Sequence, residues 1–152
     1  MGQVADVLNC VTMDLKESGN LLYQVGVTKP ELGGSHFSMI HHLTGGNVPR
    51  VDVPQAKRTF AALHQAIQNN LVRACHDMSE GGLAVAAAEM CFAGGLGAEL
   101  YLNQLPSELS HDEMLQRNVY LLFSESNSRF LCEVPKNKEK EFEQALEGVP
   151  CG

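Results

Sequence analysis

The 152-residue chain is 44% hydrophobic, which is enough for one globular domain with a real core but hardly for two. Its 18 acidic residues outnumber its 11 basic ones and give a formal charge of −7. That balance argues against a nucleic-acid or anionic-membrane partner, because such partners select clustered Lys and Arg. We therefore predict a single domain over residues 1–152, in which local contacts hold any bound phosphate.

The five cysteines form no CxxC pair and show no Cys/His spacing typical of a zinc site, so we expect reduced, mostly buried thiols. The first residues, "MGQVADVLNC", lack the basic region and apolar run of a signal peptide. No stretch approaches the ~20 consecutive apolar residues that a membrane-spanning helix requires. The sequence therefore favours a soluble, cytoplasmic protein.

The first predicted elements are a strand, a turn and a short helix. "NLLYQVGVT" is short and β-rich like a buried strand, and "KPELGGS" supplies the Pro and Gly of a turn. Ser35 is placed to cap a helix over "HFSMIHHL". The "ELGGS" turn is either structural or in contact with a ligand.

The clearest predicted helix is "DVPQAKRTFAALHQAIQNNL", with Asp52 as its N-cap and Phe60, Leu63 and Ile67 on one face. The next stretch, "LVRAC", is short and apolar like a strand, and it leads directly into "HDMSEGG". A buried helix is predicted over residues 83–92. "HDMSEGG" therefore lies at a strand-to-helix junction.

The last third of the chain mixes strands and helices. "GAELYLNQL" alternates like a strand, Ser110 and Glu113 have the spacing of a capping box over "DEMLQRN", and "VYLLF" and "RFLCEV" look like strands joined by "SESNS". "NKEKEFEQALEG" predicts an amphipathic helix with Phe142 and Leu146 inward. This order predicts an α+β fold with helices on a mixed sheet.

The junction "HDMSEGG" has a functional and a structural interpretation. In the first, Asp77 ligates magnesium, Ser79 bonds a phosphate, and Gly81 and Gly82 let that phosphate approach the helix start. In the second, Ser79 only caps the helix, Asp77 satisfies turn amides, and the glycines allow close packing. The adjacent "CHD" is not a catalytic triad, because neighbouring strand residues point to opposite faces.

The loop "SESNSR" is also open to two interpretations. It can place Glu125 and Ser126 in a ligand site, as a short polar loop between apolar strands. A simple hairpin connection explains it equally well.

Three stretches, "LLYQVGVTKPELGGS", "HDMSEGGLAVAAAEMCFAGGLGAEL" and "LLFSESNSRFLCEV", resemble in this order the last domain of the phosphoribosylformylglycinamidine synthase family. The resemblance covers nearly the whole chain. It implies a three-layer α/β/α fold with a mixed β-sheet, as in the carboxy-terminal domain of aminoimidazole ribonucleotide synthetase. It also implies that the chain is one domain of a larger purine-biosynthesis ligase.

The implied reaction converts formylglycinamide ribonucleotide, ATP and glutamine-derived ammonia to formylglycinamidine ribonucleotide, ADP and phosphate. The implied cofactors are Mg²⁺ and ATP or ADP, and the implied partners are the remaining domains and a glutamine amidotransferase subunit or domain. By resemblance, Asp77 and Ser79 contact magnesium and phosphates at an auxiliary nucleotide site. Glu125 and Ser126 belong to a loop similar to a substrate-contacting one, and no catalytic residue lies in this chain.

Two alternatives stay open. The chain is either a ligand-free structural module that supports a remote active site or a domain of a related enzyme such as a selenophosphate synthetase. Its end at "EGVPCG" suggests a domain cut from a longer protein or a truncated product, which should be inactive alone. Surfaces that meet other domains in an intact enzyme leave a homodimer of this piece open.

Overall fold

A computed structural model describes residues 4, 6–110 and 112–152 of the chain. Its sheet has three strands, β1 (Leu21–Val25), β2 (Ala74–Asp77) and β3 (Phe130–Val134), in the order β1-β3-β2 with both pairs antiparallel. The helices are α1 (His36–Ile40), α2 (Val53–Gln68), α3 (Gly82–Gly94), α4 (Arg117–Phe123) and α5 (Glu139–Ala145). Short 3-10 turns lie at Val7–Asn9, Leu102–Gln104, Asp112–Gln116 and Lys136–Lys138.

The core lies on both faces of the sheet and gives the fold three layers. One cluster packs α2 and α5 on one face through residues such as Val25, Cys132 and Phe142. The other packs α3 on the opposite face through residues such as Leu83 and Leu131. Leu131 and Cys132 fall in different clusters because successive strand side chains point to opposite faces. The predicted α+β fold with α/β/α layers is confirmed.

Parallel pairing among the described residues occurs at isolated bridges outside the three-stranded sheet. Thr12 pairs in parallel with Ala74, and Thr28 pairs in parallel with Ser107. The end of the chain adds an antiparallel bridge between Val25 and Cys151. The three named strands therefore form an antiparallel sheet, and the parallel pairing lies in single bridges beside it.

The predicted helix starts at Ser35 and Asp52 are confirmed. The Ser35 hydroxyl accepts a hydrogen bond from the Ser38 N–H at 3.2 Å, and the Asp52 carboxylate accepts one from the Gln55 N–H at 3.0 Å. The predicted apolar face of α2 is only partly right, because Leu63 is buried whereas Phe60 is 49% exposed. The inward side of α5 is as predicted, since Phe142 is fully buried.

Two predicted strands are wrong. Residues 97–105 contain only a 3-10 turn, and "VYLLF" belongs to α4. "VYLLF" is too short for its apolar pattern to distinguish a strand from a buried helix. Packing against α3 favours the helix. The capping box upstream is present in part, because the Ser110 N–H donates to the Glu113 carboxylate at 2.6 Å. "SESNS" therefore joins a helix to a strand.

The observed strand β2 begins and ends later in the chain than the strand predicted over residues 71–75. The observed β2 includes His76 and Asp77, which were expected to follow the strand. All five cysteines are free thiols as predicted, but Cys132 is the one that is fully buried and Cys10 is exposed. Within the described residues, the helices are too short or too polar to cross a membrane.

Candidate functional site

The junction between β2 and α3 is held by backbone contacts. The Met78 N–H donates to the Arg129 carbonyl at 3.0 Å, and Met78 itself is only 3% exposed. The N-cap of α3 is Gly81, whose φ of 75° lies in the left-handed region, and no side chain of its own segment caps the helix. Ser79 is therefore not the N-cap, which corrects the structural interpretation of that residue.

Glu125 supplies the acceptor that the start of α3 lacks locally. Its Oε1 atom accepts hydrogen bonds from the Gly81 N–H at 2.9 Å and from the His36 N–H at 3.0 Å. Helix starts carry unpaired N–H groups and a partial positive charge, so a carboxylate is favourable there. One carboxylate thus ties the start of α3 to the start of α1.

The "SES" loop is joined to the "KPELGGS" turn by two further contacts. The Ser126 hydroxyl accepts a hydrogen bond from the Lys29 N–H at 3.0 Å. The Glu125 N–H donates to the Glu31 carbonyl at 3.3 Å. Together with the bond to Gly81, these contacts bring together the three stretches that carry the predicted site residues, although they are far apart in sequence.

The two glycines of the junction are packing residues in this structure. A Cβ on Gly82, whose φ is 64°, would lie 2.5 Å from the Ser124 carbonyl oxygen and 2.8 Å from that of Leu122. A Cβ on Gly81 would overlap the Val85 side chain. Gly82 therefore lets the start of α3 lie directly against the end of α4.

Asp77 and Ser79 lie on the surface of the junction. The Asp77 side chain is 65% exposed, and its carboxylate lies 3.2 Å from His76 Nδ1. The other ring nitrogen of His76 lies 2.8 Å from the Glu89 carboxylate. The described residues contain no group of three or more His, Cys, Asp or Glu side chains able to hold a metal ion. The structure therefore shows no cage of protein ligands around Asp77 among the described residues.

A cleft beside the "SES" loop is lined mostly by residues to which the sequence assigns no ligand-binding role. Its lining includes Lys29, Glu31, Arg50, Asp52, Gln55 and Asn127. Glu31 is only 7% exposed; its Oε1 atom accepts from the Arg50 N–H at 3.3 Å, while its Oε2 atom has no partner among the described residues. No local signal marks Arg50, because it reaches this cleft only through the loop that precedes α2.

The buried Arg129 holds the "SES" loop in place. Its guanidinium donates to the Ser126 carbonyl at 2.9 Å and the Thr28 hydroxyl at 2.8 Å, and it also contacts the Ser124 carbonyl. Burial lowers the pKa of Arg129 to about 10, and the carboxylates of Glu31 and Glu125 oppose that effect. The side chain therefore remains charged at neutral pH and fixes the loop that carries Glu125.

Comparisons with known proteins show the family of this chain and its fold. The family model for "AIR synthase related protein, C-terminal domain" matches residues 17–151. The phosphoribosylformylglycinamidine synthase subunit PurL of Thermococcus sibiricus is 43% identical over 135 residues, which are 87% of this chain and 18% of that protein. The chain thus spans less than a fifth of the length of this relative.

Solved structures show the same fold. T. maritima PurL complexed with FGAR has a TM-score of 0.77 at 17% identity, and the match covers 96% of this chain and 25% of the PurL chain. T. maritima PurL complexed with ATP has a TM-score of 0.70 at 19% identity, covering 96% and 23%. At these identities the likeness extends to the fold and not to individual site residues.

Proposed function

We propose that this chain serves as one domain of a phosphoribosylformylglycinamidine synthase. The chain belongs to the AIR synthase related protein C-terminal domain family. The observation that carries the proposal is the 43% identity to a PurL subunit along most of the chain. The whole enzyme is an ATP-dependent carbon–nitrogen ligase of purine biosynthesis. It converts formylglycinamide ribonucleotide, ATP and ammonia from glutamine to formylglycinamidine ribonucleotide, ADP and phosphate.

In this proposal the isolated domain is inactive and its partners are the remaining domains of the enzyme. A concentration of exposed apolar side chains between residues 39 and 53 supports such contacts, since exposed apolar surface is typical of an interaction site. These side chains are Met39, Ile40, Leu43, Val48, Val51 and Val53, each more than half exposed. We extend the proposal to a glutamine amidotransferase partner and to a reducing cytoplasmic location. We also propose that the isolated domain associates with itself, which sedimentation measurements of the chain test.

The site part of the proposal assigns a magnesium–nucleotide corner to the junction. Asp77 ligates Mg²⁺ and Ser79 binds a phosphate oxygen of ATP or ADP; bound magnesium would neutralise phosphate charge there. The 65% exposure of the Asp77 side chain supports this assignment, because a ligand can reach the carboxylate from solvent although one of its oxygens lies 3.2 Å from His76 Nδ1. The Gly81 N–H already donates a hydrogen bond to the Glu125 carboxylate. In this proposal the phosphate is therefore bound by Ser79 and the metal rather than by Gly81.

A structural module without a ligand is the second candidate, and two observations favour it. Gly82 fits against the Ser124 carbonyl, so its lack of a side chain is explained by packing alone. The Glu125 carboxylate satisfies the start of α3 without any phosphate. In this role Glu125 and Ser126 position loops rather than touch a ligand.

Calorimetric titration of the chain with Mg-ADP separates the two candidates. The nucleotide corner predicts saturable binding that is lost in Asp77→Ala, weakened in Ser79→Ala and lost when EDTA removes the metal. Asp112→Ala is the matched control, because it removes another exposed aspartate far along the chain from the junction. Circular dichroism confirms that each variant is folded.

Binding that persists unchanged in Asp77→Ala would refute the corner. If the folded parent chain binds no Mg-ADP, the same variants are tested within the longer protein. Unchanged bound nucleotide and unchanged turnover in Asp77→Ala would there leave the structural role as the answer.

A further inference from the structure

Two cysteines face each other across neighbouring strands of the sheet. Cys75 of β2 is directly opposite Cys132 of β3 in the antiparallel register. Their sulfur atoms lie 3.7 Å apart, with the Cys132 thiol donating to the Cys75 sulfur. Both are free thiols in this structure.

The backbone geometry at this pair is that of a cross-strand disulfide. The Cys75 N–H points away from β3 and donates to the Thr12 carbonyl at 3.1 Å. The Met78 N–H, three residues later, instead points towards β3 and donates to the Arg129 carbonyl just before that strand. Cys75 and Cys132 therefore form a non-hydrogen-bonded pair, in which Cα atoms are typically about 4.5 Å apart. That separation falls within the roughly 4.4–6.8 Å that disulfides span.

Accessibility and position single out this pair among the cysteines. Cys75 is only partly buried, whereas Cys132 is fully buried. Among the described residues, this is the one hydrogen bond that joins two cysteines. Cys151 lies opposite Val25 at the outer edge of β1, so a whole strand separates it from β3.

From this geometry we propose that Cys75 and Cys132 are a thiol–disulfide modification site that closes when the chain meets a small-molecule disulfide such as oxidised glutathione. The Cys75 sulfur attacks the small disulfide and releases one small thiol, leaving a mixed disulfide. The Cys132 sulfur then attacks the Cys75 sulfur and releases the second small thiol. Two electrons pass from the protein thiols to the small disulfide, and both protons leave on the small thiols.

The bond would fix β2 to β3 two residues before Asp77. The sulfurs need to approach from 3.7 Å to the bond length of about 2.05 Å, which side-chain rotation provides without moving the strands. Disulfides in reducing compartments are usually transient and regulatory. This inference does not depend on the nucleotide corner, because the contact between Cys75 and Cys132 involves no residue assigned to that corner.

The test equilibrates the reduced full chain with glutathione buffers of increasing oxidation, blocks the remaining thiols and maps cysteine peptides by mass spectrometry without reduction. We expect one intramolecular link, between the Cys75 and Cys132 peptides, and a mass lower by two hydrogen atoms. Cys75→Ser should lose the link entirely. Cys91→Ser, which removes a half-buried cysteine from the opposite core, should keep it.

A variant with Cys10, Cys91 and Cys151 all changed to Ser retains only the pair and should still close. The oxidised form should melt at a higher temperature than the reduced form, and Cys75→Ser should show no such difference. A link between other cysteines, a reaction that stops at glutathione bound to Cys75, or thiols that remain free in the most oxidising buffer would overturn the proposal.

Discussion

Helices α2 and α3 begin in different ways. The first turn of α2 is closed by a residue of the same segment, because the Asp52 carboxylate accepts the Gln55 N–H three positions later. The first turn of α3 begins at Gly81 in the left-handed region, and the carboxylate that reaches it belongs to Glu125, 44 residues away. One start is local and the other is made by the fold.

This difference explains what each start can do. A local cap forms whenever the segment is helical, so Asp52 stabilises α2 in any context. The start of α3 needs the "SES" loop in its native place, so it couples the junction to α1 and to β3. The proposed nucleotide corner lies at the second kind of start, where distant contacts set the geometry. Three experiments test the contrast, beginning with the largest expected effect, and a fourth tests a tertiary contact elsewhere in the fold.

Gly82→Ala should destabilise the fold by roughly 3–5 kcal/mol, because the added Cβ meets the Ser124 carbonyl and the residue has a positive φ. Urea unfolding measures the change. Gly95→Ala is the matched control, since Gly95 has a φ of 66° with open space around it and should cost only about 1–2 kcal/mol. Equal losses for the two variants would mean that close packing at Gly82 contributes nothing.

Glu125→Ala should cost about 2–3 kcal/mol, because it leaves the Gly81 and His36 N–H groups without their acceptor. Hydrogen exchange should speed up at both helix starts, which are distant in sequence. Glu147→Ala, at an exposed glutamate in the last turn of the chain, should stay within about 0.5 kcal/mol of the parent. Faster exchange at only one of the two helix starts would show that Glu125 does not couple them.

Asp52→Ala should cost about 1 kcal/mol, which is the usual contribution of an N-cap. Asp52→Asn retains an oxygen acceptor and should recover most of that free energy of unfolding. Hydrogen exchange should change only in the first turn of α2. A change that reaches α3 would contradict the local character of this start.

The smallest effect concerns a tertiary contact between β1 and α5. Burial and a hydrogen bond to Glu143, 120 residues away, raise the pKa of Tyr23 above its usual value. The unfolded chain then loses the Tyr23 proton first, so this contribution to stability is intact below pH ~10 and declines as the pH rises further. Unfolding at pH ~9 and ~11 should show a smaller decline in Tyr23→Phe than in the parent, and equal declines would exclude this origin.

Sequence patterns predicted the parts of the fold whose signals are local. The caps at Ser35 and Asp52 depend on residues three positions apart, and the inward side of α5 depends on Phe142 and Leu146 one turn apart. The strand predicted for "VYLLF" is wrong because five apolar residues carry no distinctive period, and contact with α3 favours a helix there. The glycines at the junction were recognised, but not the Ser124 carbonyl that requires Gly82.

By itself, the sequence determined the fold class, the helix starts with their own caps, and the three stretches that carry the candidate site residues. Local hydrogen bonds and the alternation of apolar side chains are sufficient for those features. Only the tertiary structure decided that Glu125 closes the start of α3, that Glu31 and Arg50 share a cleft, and that Cys75 faces Cys132. Each of these contacts joins segments far apart in the chain, and no pattern along the sequence encodes the register or packing that brings them together.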